Sequence, residues 1–282
     1  MSANKSSPLA RARTLLFVPG NRPERFQKAI DSGADAVVLD LEDSVPSGEK
    51  DTARQTVIQA LPMLSDRACI VVRCNPVDSD QGSADLMALA GLSMAGLMVP
   101  KCESEHGLRS VAQHLTQVAL LPIIESARGY LALHEIAHAT HVCRLVVGHI
   151  DFLADTGMTS SRGQTELDPL RFAVTLHSRA AQLASAVDGV SVSLEDESSW
   201  AEDTERALRF GMGGKLCIHP RQVPVVHAAF QPTEKELLWA QSVAAAMSAS
   251  GGAALQLKGH MIDAPVLLQA QRILARARRT VP

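Results

Sequence analysis

Glu125 and Asp151 each follow a short apolar run: Leu120-Leu121-Pro122-Ile123-Ile124 leads to the first, and Leu145-Val146-Val147 followed by Gly148-His149-Ile150 to the second. If these runs are neighbouring strands, about 4.8 Å apart, the two carboxylates repel unless a cation lies between them. Hard oxygen ligands with positions open to water and substrate suit Mg²⁺. Zinc is disfavoured, because no cluster of His and Cys accompanies them. The same carboxylates could instead pair with Lys101, Arg73 or Arg128 in a buried ion network. The residues leave both readings open.

Other apolar runs also end in residues able to do chemistry. Ile70-Val71-Val72 leads to Arg73, whose planar fork suits a substrate carboxylate. Gly96-Leu97-Met98-Val99 leads through Pro100 to Lys101, either a Schiff-base lysine or, flanked by carboxylates, an electrostatic support. Ala36-Val37-Val38-Leu39 leads to Asp40, Glu42 and Asp43. In an extended segment Asp40 and Glu42 share one face and Asp43 takes the other. Metal-bound water or Arg73 could hold two of them; a solvated loop or a helix cap is the plainer alternative. The turn Gly20-Asn21-Arg22 could receive a phosphate or carboxylate, although a glycine turn after a strand is ordinary. His219, after Lys215-Leu216-Cys217-Ile218, reads as structural before catalytic. His134 and His138 share a helix face but lack the glutamate of a zinc-protease motif.

These residues need strands that deliver them to one place. Apolar runs at about 13–19, 36–41, 69–74, 96–100, 119–124, 143–148 and 215–218 read as parallel strands buried on both faces. The weaker, alternating stretch 189–194 completes eight. Helices are expected between them, at about 23–32, 49–60, 82–90, 104–117, 127–139, 168–185 and 198–210. The first should open at Pro23 and stop at Gly33; the long one should be capped by Asp168. Eight β/α units predict an α/β fold of the (β/α)8 TIM-barrel type, with catalysis at the C-terminal strand ends. An open doubly wound sheet is the competing arrangement. The expected organisation is a flexible tail over 1–12, a catalytic barrel over 13–250, and a C-terminal helical extension or lid over 251–282, possible arm to a neighbouring subunit included.

The 282 residues and 46% hydrophobic content suit one large domain, and a net charge of −3 offers no basic surplus for nucleic acid or an anionic membrane. With 3% aromatic residues, stacking platforms for single strands are not expected. Five scattered cysteines without a C-x-x-C pair read as reduced thiols. No signal peptide or apolar span of about 20 residues is present, so a cytoplasmic location is expected.

The runs LLFVPGNRPERFQKAIDSGADAVVLDLEDSVPSGEK, VVRCNP, GLMVPKCES, LLPIIESARG, GKLCIHPRQV and GHMIDAPVLLQAQRILA, in this order from about Arg13 to Ala277, resemble the citrate lyase β-subunit-like family of the HpcH/HpaI aldolase superfamily. The resemblance implies a Mg²⁺-dependent barrel enzyme, a homotrimer or dimer of trimers, acting on a C–C bond next to an acyl-CoA thioester. It puts the metal ligands on Glu125 and Asp151 and the substrate-binding arginine on Arg73. Asp40, Glu42 and Asp43 fall on the acidic loop behind the metal's water. Met261-Ile262-Asp263-Ala264-Pro265 resembles a segment in which the aspartate reaches a neighbour's site, making Asp263 a candidate acid/base. In one departure, Gly148-His149-Ile150-Asp151 stands where many members have Gly-Ala-Glu-Asp, so Ile150 replaces a carboxylate.

The expected catalytic set is therefore Arg73, Asp263, Glu42, Asp43 and Lys101; the substrate-binding set is Arg73, Asp40, Gly148 and Arg22. The expected activity is cleavage or formation of a small citryl-, malyl- or citramalyl-CoA-like 3-hydroxyacyl-CoA, with an acyl-CoA and an oxo acid as partners. A CoA-independent class II aldolase using a pyruvate enolate, and a lyase subunit acting on an acyl-carrier protein thioester inside a complex, are the alternatives.

Overall fold

Eight parallel strands close into a barrel in chain order: β1 (Thr14–Pro19), β2 (Ala36–Asp40), β3 (Ile70–Arg73), β4 (Gly96–Val99), β5 (Ala119–Ile124), β6 (Val146–Val147), β7 (Val187–Asp188) and β8 (Gly214–Cys217). A computed structural model describes residues 7–277. Closure is made by β8 pairing with β1, Leu15 opposite Leu216. The open doubly wound alternative is thereby removed. Val38, Val71, Met98, Leu121, Val146, Val187 and Leu216 form part of the central core. Burying each such side chain contributes about 1.5–3 kcal/mol, which holds the strand ends in fixed register.

Local signals behave as chemistry dictates. Pro23 opens a 3-10 turn, Pro23–Arg25, that runs into the helix Phe26–Asp31, and Gly33 follows at φ +75°. Ser79, Ser104 and Ser126 cap helices with their hydroxyls. Asp168 does not act as the expected cap: it is the first helical residue, with no side-chain capping bond at that end.

Three expectations are corrected. Strand seven is Val187–Asp188, not 189–194. The helix before it ends at Ala180 rather than near 185, because Gln182 turns the chain at φ +57°. The alternation at 190–194 is a loop in which Val192 and Leu194 are exposed. Second, Asp151 lies not at a strand end but in the first turn of a helix, His149–Thr156, that starts directly after β6. Third, part of the expected flexible tail is structured. Pro8–Arg11 is a helix with Leu9 and Ala10 buried, and the fully buried Arg144 donates to the carbonyls of Leu9 (3.2 Å), Ala12 (2.6 Å) and Ser185 (2.7 Å). Residues 1–6 of that tail lie outside the described residues, as does the end of the last helix at 278.

The chain divides into one compact unit ending at Val226 and a second starting at His227, earlier than the expected boundary at 250/251. The reason is packing: Ala240, Val243 and Met247 of helix Glu234–Ala249 share a core with Ile262, Ala270 and Ile273, the last two from helix Ala264–Ala277. A capping box of Thr233 and Glu236 starts the first of these helices. Between them β9 (Leu255–Leu257) and β10 (His260–Ile262) form a hairpin. Its two turn residues, Lys258 and Gly259, both have positive φ, as a tight hairpin turn requires. Among the described residues no helix is long and apolar enough to cross a membrane.

Candidate active site

At the C-terminal ends of β2 and β3, Asp40 and Arg73 are register partners. Asp40 is fully buried and accepts a fork from Arg73, Nε to Oδ1 at 2.6 Å and Nη2 to Oδ2 at 2.7 Å. It also accepts the backbone N–H groups of Glu42 (2.9 Å) and Ser44 (3.1 Å) and the Ser44 hydroxyl (2.5 Å). Burial alone would raise its pKa; the guanidinium and the Ser44 hydroxyl outweigh it and hold the carboxyl below its ordinary range. Lys50 ties the loop by donating to the carbonyls of Leu41 (2.8 Å) and Glu42 (2.7 Å).

Arg73 Nη1 lies 3.0 Å from Glu42 Oε2 and 3.2 Å from the more exposed Asp43. The Glu42 contact is an ion pair without hydrogen-bond alignment. Phe17 lies beneath the guanidinium, whose carbon is 4.7 Å from the ring centroid. Burial pushes the Glu42 carboxyl up to about 7, Arg73 opposing and the charges of Asp43 and Asp40 adding.

Lys101 follows β4 with its backbone at φ +46°, a conformation that disfavours a side chain. This turn aims its N–H at Glu125 Oε1, 2.5 Å away. Its ammonium is half exposed, 3.4 Å from Glu42 Oε1. Partial burial lowers the amine's pKa, but Glu42, Asp43 and Asp151 outweigh it and raise it. A Schiff-base lysine needs the opposite shift, so the geometry favours the supporting role.

Glu125 follows β5 and is buried. Burial pushes its carboxyl up to about 8, with Glu42 and Asp151 adding to the rise and the Lys101 N–H opposing it. The other carboxylate oxygen, Oε2, packs against Gly148, where a Cβ would sit 2.4 Å from it. Glu125 and Asp151 line one cavity of about 360 Å³, together with Arg73, Asp40 and Gly148. Among the described residues neither carboxylate pairs with a basic side chain. Arg73 is engaged by the acidic loop, Lys101 by Glu42, and Arg128 by Glu103 at 3.4 Å. The buried ion network left open by the sequence is thus absent at Glu125 and Asp151. Two unneutralised oxygen donors facing one cavity fit a hard divalent cation. No cluster of three or more His, Cys, Asp or Glu suited to a metal occurs among the described residues, so water or substrate oxygens would fill its remaining positions.

Of the expected residues in the first unit, Arg22, Glu42 and Lys101 are not among those lining this cavity. The exposed guanidinium of Arg22 lies 4.0 Å from Glu24. Asp263 belongs to the second unit, where Oδ1 accepts the Val266 N–H at 3.3 Å. His219 behaves structurally, its ring nitrogen accepting the Arg221 N–H at 3.1 Å. The rings of His134 and His138 lie tilted against each other, their centroids 4.5 Å apart.

Sequence reasoning missed a buried charge cluster behind the mouth. Arg171 donates to Asp188 at 3.1 Å, and Lys215 Nζ donates to the Gly189 carbonyl at 2.8 Å. Gly189 leaves room for His149, whose Nδ1 would lie 2.2 Å from a Cβ there. The signal is Asp188 after Ala186-Val187, which a strand at 189–194 leaves in the preceding loop. Also missed were Val190 and Ile218, which form part of the cavity's apolar wall.

Residues 13–220 match the family model HpcH/HpaI aldolase/citrate lyase. A citrate lyase subunit beta-like protein of Mycobacterium tuberculosis is 35% identical over 269 residues, 93% of this chain and 94% of that protein. The mitochondrial citramalyl-CoA lyase of Mus musculus is 31% identical over 292 residues, 94% of this chain and 86% of that protein. Among solved structures, the Mycobacterium tuberculosis protein CitE in complex with magnesium, acetoacetate and coenzyme A superposes with a TM-score of 0.86 at 34% identity, covering 96% of this chain and 100% of that one. The citrate lyase beta subunit of the same organism, complexed with oxaloacetate and magnesium, gives 0.71 at 33% identity, covering 80% and 100%.

Proposed function

The chain belongs to the HpcH/HpaI aldolase/citrate lyase family and is a carbon–carbon lyase of the citrate lyase β-subunit-like kind; from that premise we propose that it is a Mg²⁺-dependent enzyme that cleaves or forms a small 3-hydroxyacyl-CoA, giving an acyl-CoA and an oxo acid. The observation that carries this reading is the pair Glu125 and Asp151, facing one cavity beside Arg73 with no basic partner of their own. Relatives crystallised with magnesium, coenzyme A and oxo acids support it.

Glu125 and Asp151 would hold the ion. When bound, magnesium polarises the substrate oxygen that becomes a carbonyl, an effect of several kcal/mol. Arg73, clamped by Asp40 and stacked on Phe17, keeps its Nη1 edge for the oxo acid's carboxylate once the more exposed Asp43 gives way. Gly148, having no Cβ, leaves the space that the Glu125 side chain itself fills, and so sets that carboxylate's position at the cavity. Glu42, at about 7, is matched to taking the hydroxyl proton near neutral pH. Lys101 balances its charge. Asp263 is the candidate for the proton exchanged at the acyl carbon, brought by a neighbouring subunit in the trimer or dimer of trimers that the resemblance implies. A substrate-binding role for Arg22 draws no support from its position outside the cavity.

The test is acetyl-CoA release from citryl-, malyl- and citramalyl-CoA with Mg²⁺ present. At least one should be turned over, and chelation should abolish turnover. Release of pyruvate from CoA-free hydroxy acids alone would establish the class II aldolase instead, and activity confined to acyl-carrier protein thioesters would establish the complex-bound subunit.

A pH dependence follows from Glu125. Its folded pKa, about 8, lies above the ordinary 4.5. Without metal, its contribution to stability is therefore fully present below pH 4.5 and lost as pH rises through about 8. Metal binding needs the carboxylate, so apparent Mg²⁺ affinity should fall up to about tenfold per pH unit below pH 8. Thermal melts with and without Mg²⁺ check this: the stabilisation by the ion should grow from pH 6 towards 9. A constant shift would contradict it.

A further inference from the structure

The walls of the cavity differ in kind. Asp40 and Asp43 line it from the end of β2 and Glu125 and Asp151 from beyond β5 and β6, and among the described residues Arg73 is the only lysine or arginine lining it. Arg73 is already spoken for: Asp40 takes its fork, and Nη1 faces Glu42 and Asp43. Lys101 does not line the cavity; its ammonium sits on Glu42. Of the uncharged polar lining residues, Ser44 donates its hydroxyl to Asp40 and His149 turns Nδ1 against Gly189; apolar lining comes from Ile123, Val147, Ile150, Val190, Leu216 and Ile218. Ile150 and Ile218 are its exposed members, at 47% and 39%. Four carboxylates against one guanidinium leave a surplus of negative charge that a single divalent cation does not reverse.

One substrate carboxylate is provided for, by the cation and by the Nη1 edge of Arg73 where it displaces the more exposed Asp43. A second would meet either acidic side chains or the apolar wall, losing hydration without gaining a partner. An alkyl group on the same carbon would meet the wall it matches.

Resting on the lyase reading above, we infer that the oxo acid handled here is a 2-oxo monocarboxylic acid with an alkyl tail, of the pyruvate and 2-oxobutyrate kind, and that oxo dicarboxylic acids are rejected. The selecting features are the apolar residues ending in Ile150 and Ile218 and, among the described residues of the chain that forms the cavity, the lack of a second lining lysine or arginine.

The matched pair 2-oxobutyrate and oxaloacetate tests this, since they differ by a methyl against a carboxylate. Calorimetric binding to the full-length protein with Mg²⁺, using freshly dissolved oxaloacetate, should favour 2-oxobutyrate by about a hundredfold, the order expected when a charged group is left unpaired. The variant Ile218→Arg, which puts a guanidinium on the exposed rim of the apolar wall, should shrink that ratio at least about tenfold. Equal or tighter binding of oxaloacetate, no binding of either acid, or an unchanged ratio in Ile218→Arg overturns the inference. The lyase reading fails separately, on absence of Mg²⁺-dependent cleavage across the acyl-CoA panel. Circular dichroism of the variant shows whether it is folded; if it is not, Ile150→Arg carries the same expectation.

Discussion

Glu125→Gln lowers Mg²⁺ affinity by more than about a hundredfold and removes turnover, while leaving the metal-free protein as stable as before at neutral pH. Changes to groups that merely orient a metal ligand cost about 10–100-fold in affinity, and loss of the ligand's charge exceeds that. The unusual half of this expectation concerns stability. The metal-free Glu125 carboxyl, with a pKa of about 8, is already neutral at pH 7. Glutamine has the same shape and charge as that protonated acid and can keep the hydrogen bond from the Lys101 N–H, now 2.5 Å from Oε1. A variant that melts like the wild type yet no longer responds to Mg²⁺ separates ligation from architecture. Calorimetry with Mg²⁺ and thermal melts decide it. An unchanged affinity removes Glu125 from the metal site and the proposed chemistry with it.

Gly148→Ala has the second largest expected effect, from a single methyl group. Its Cβ would sit 2.4 Å from Glu125 Oε2, 2.6 Å from Glu125 Cβ and 2.7 Å from Ile123 Cγ2. Ile123 is fixed in the barrel core, so Glu125 must yield. Its other oxygen is tied to Lys101, so the carboxylate rotates out of place rather than sliding. Overpacking of this kind costs about 1–3 kcal/mol in stability. A carboxylate displaced by about 1 Å loses about a hundredfold in activity. Melting should fall by several degrees and Mg²⁺ affinity should fall with it. Wild-type Mg²⁺ binding in a folded Gly148→Ala protein would show that Glu125 has more freedom than its surroundings suggest.

Much of this site is legible in the sequence, because a parallel barrel strand buried on both faces is an unbroken apolar word and its first polar letter falls at the mouth. Asp40, Arg73, Lys101 and Glu125 are found that way. Asp151 is found too, but its setting is not: β6 is only Val146–Val147, and the aspartate reaches the cavity from the first turn of a helix, not from a strand end. Strand seven fails for a related reason. Two buried residues give no periodicity, while Val190, Val192 and Leu194 imitate it in a loop. The clamp of Asp40 on Arg73 joins residues 33 positions apart; that Arg73 could hold the acidic cluster is readable, but only the register of β2 on β3 shows that Asp40 takes the fork. Arg22 misleads because the glycine before it serves packing: a Cβ at Gly20 would meet the Asp40 carbonyl at 2.8 Å. The glycine is therefore accounted for by its packing on β2 alone. Asp263 comes from resemblance alone, since nothing in its own spacing marks it out.

The donor that steadies Glu125 is a peptide group, the N–H of Lys101. Scanning mutagenesis deletes side chains, so an alanine at 101 would report on the ammonium and stay blind to this contact. Proline, which does remove the N–H, cannot adopt φ +46°, and it would break the turn along with the bond. Only an amide-to-ester replacement in the backbone, made by semisynthesis or nonsense suppression, can weigh that one proton. Position 101 thus holds two separable contributions, and conventional variants can see just one of them.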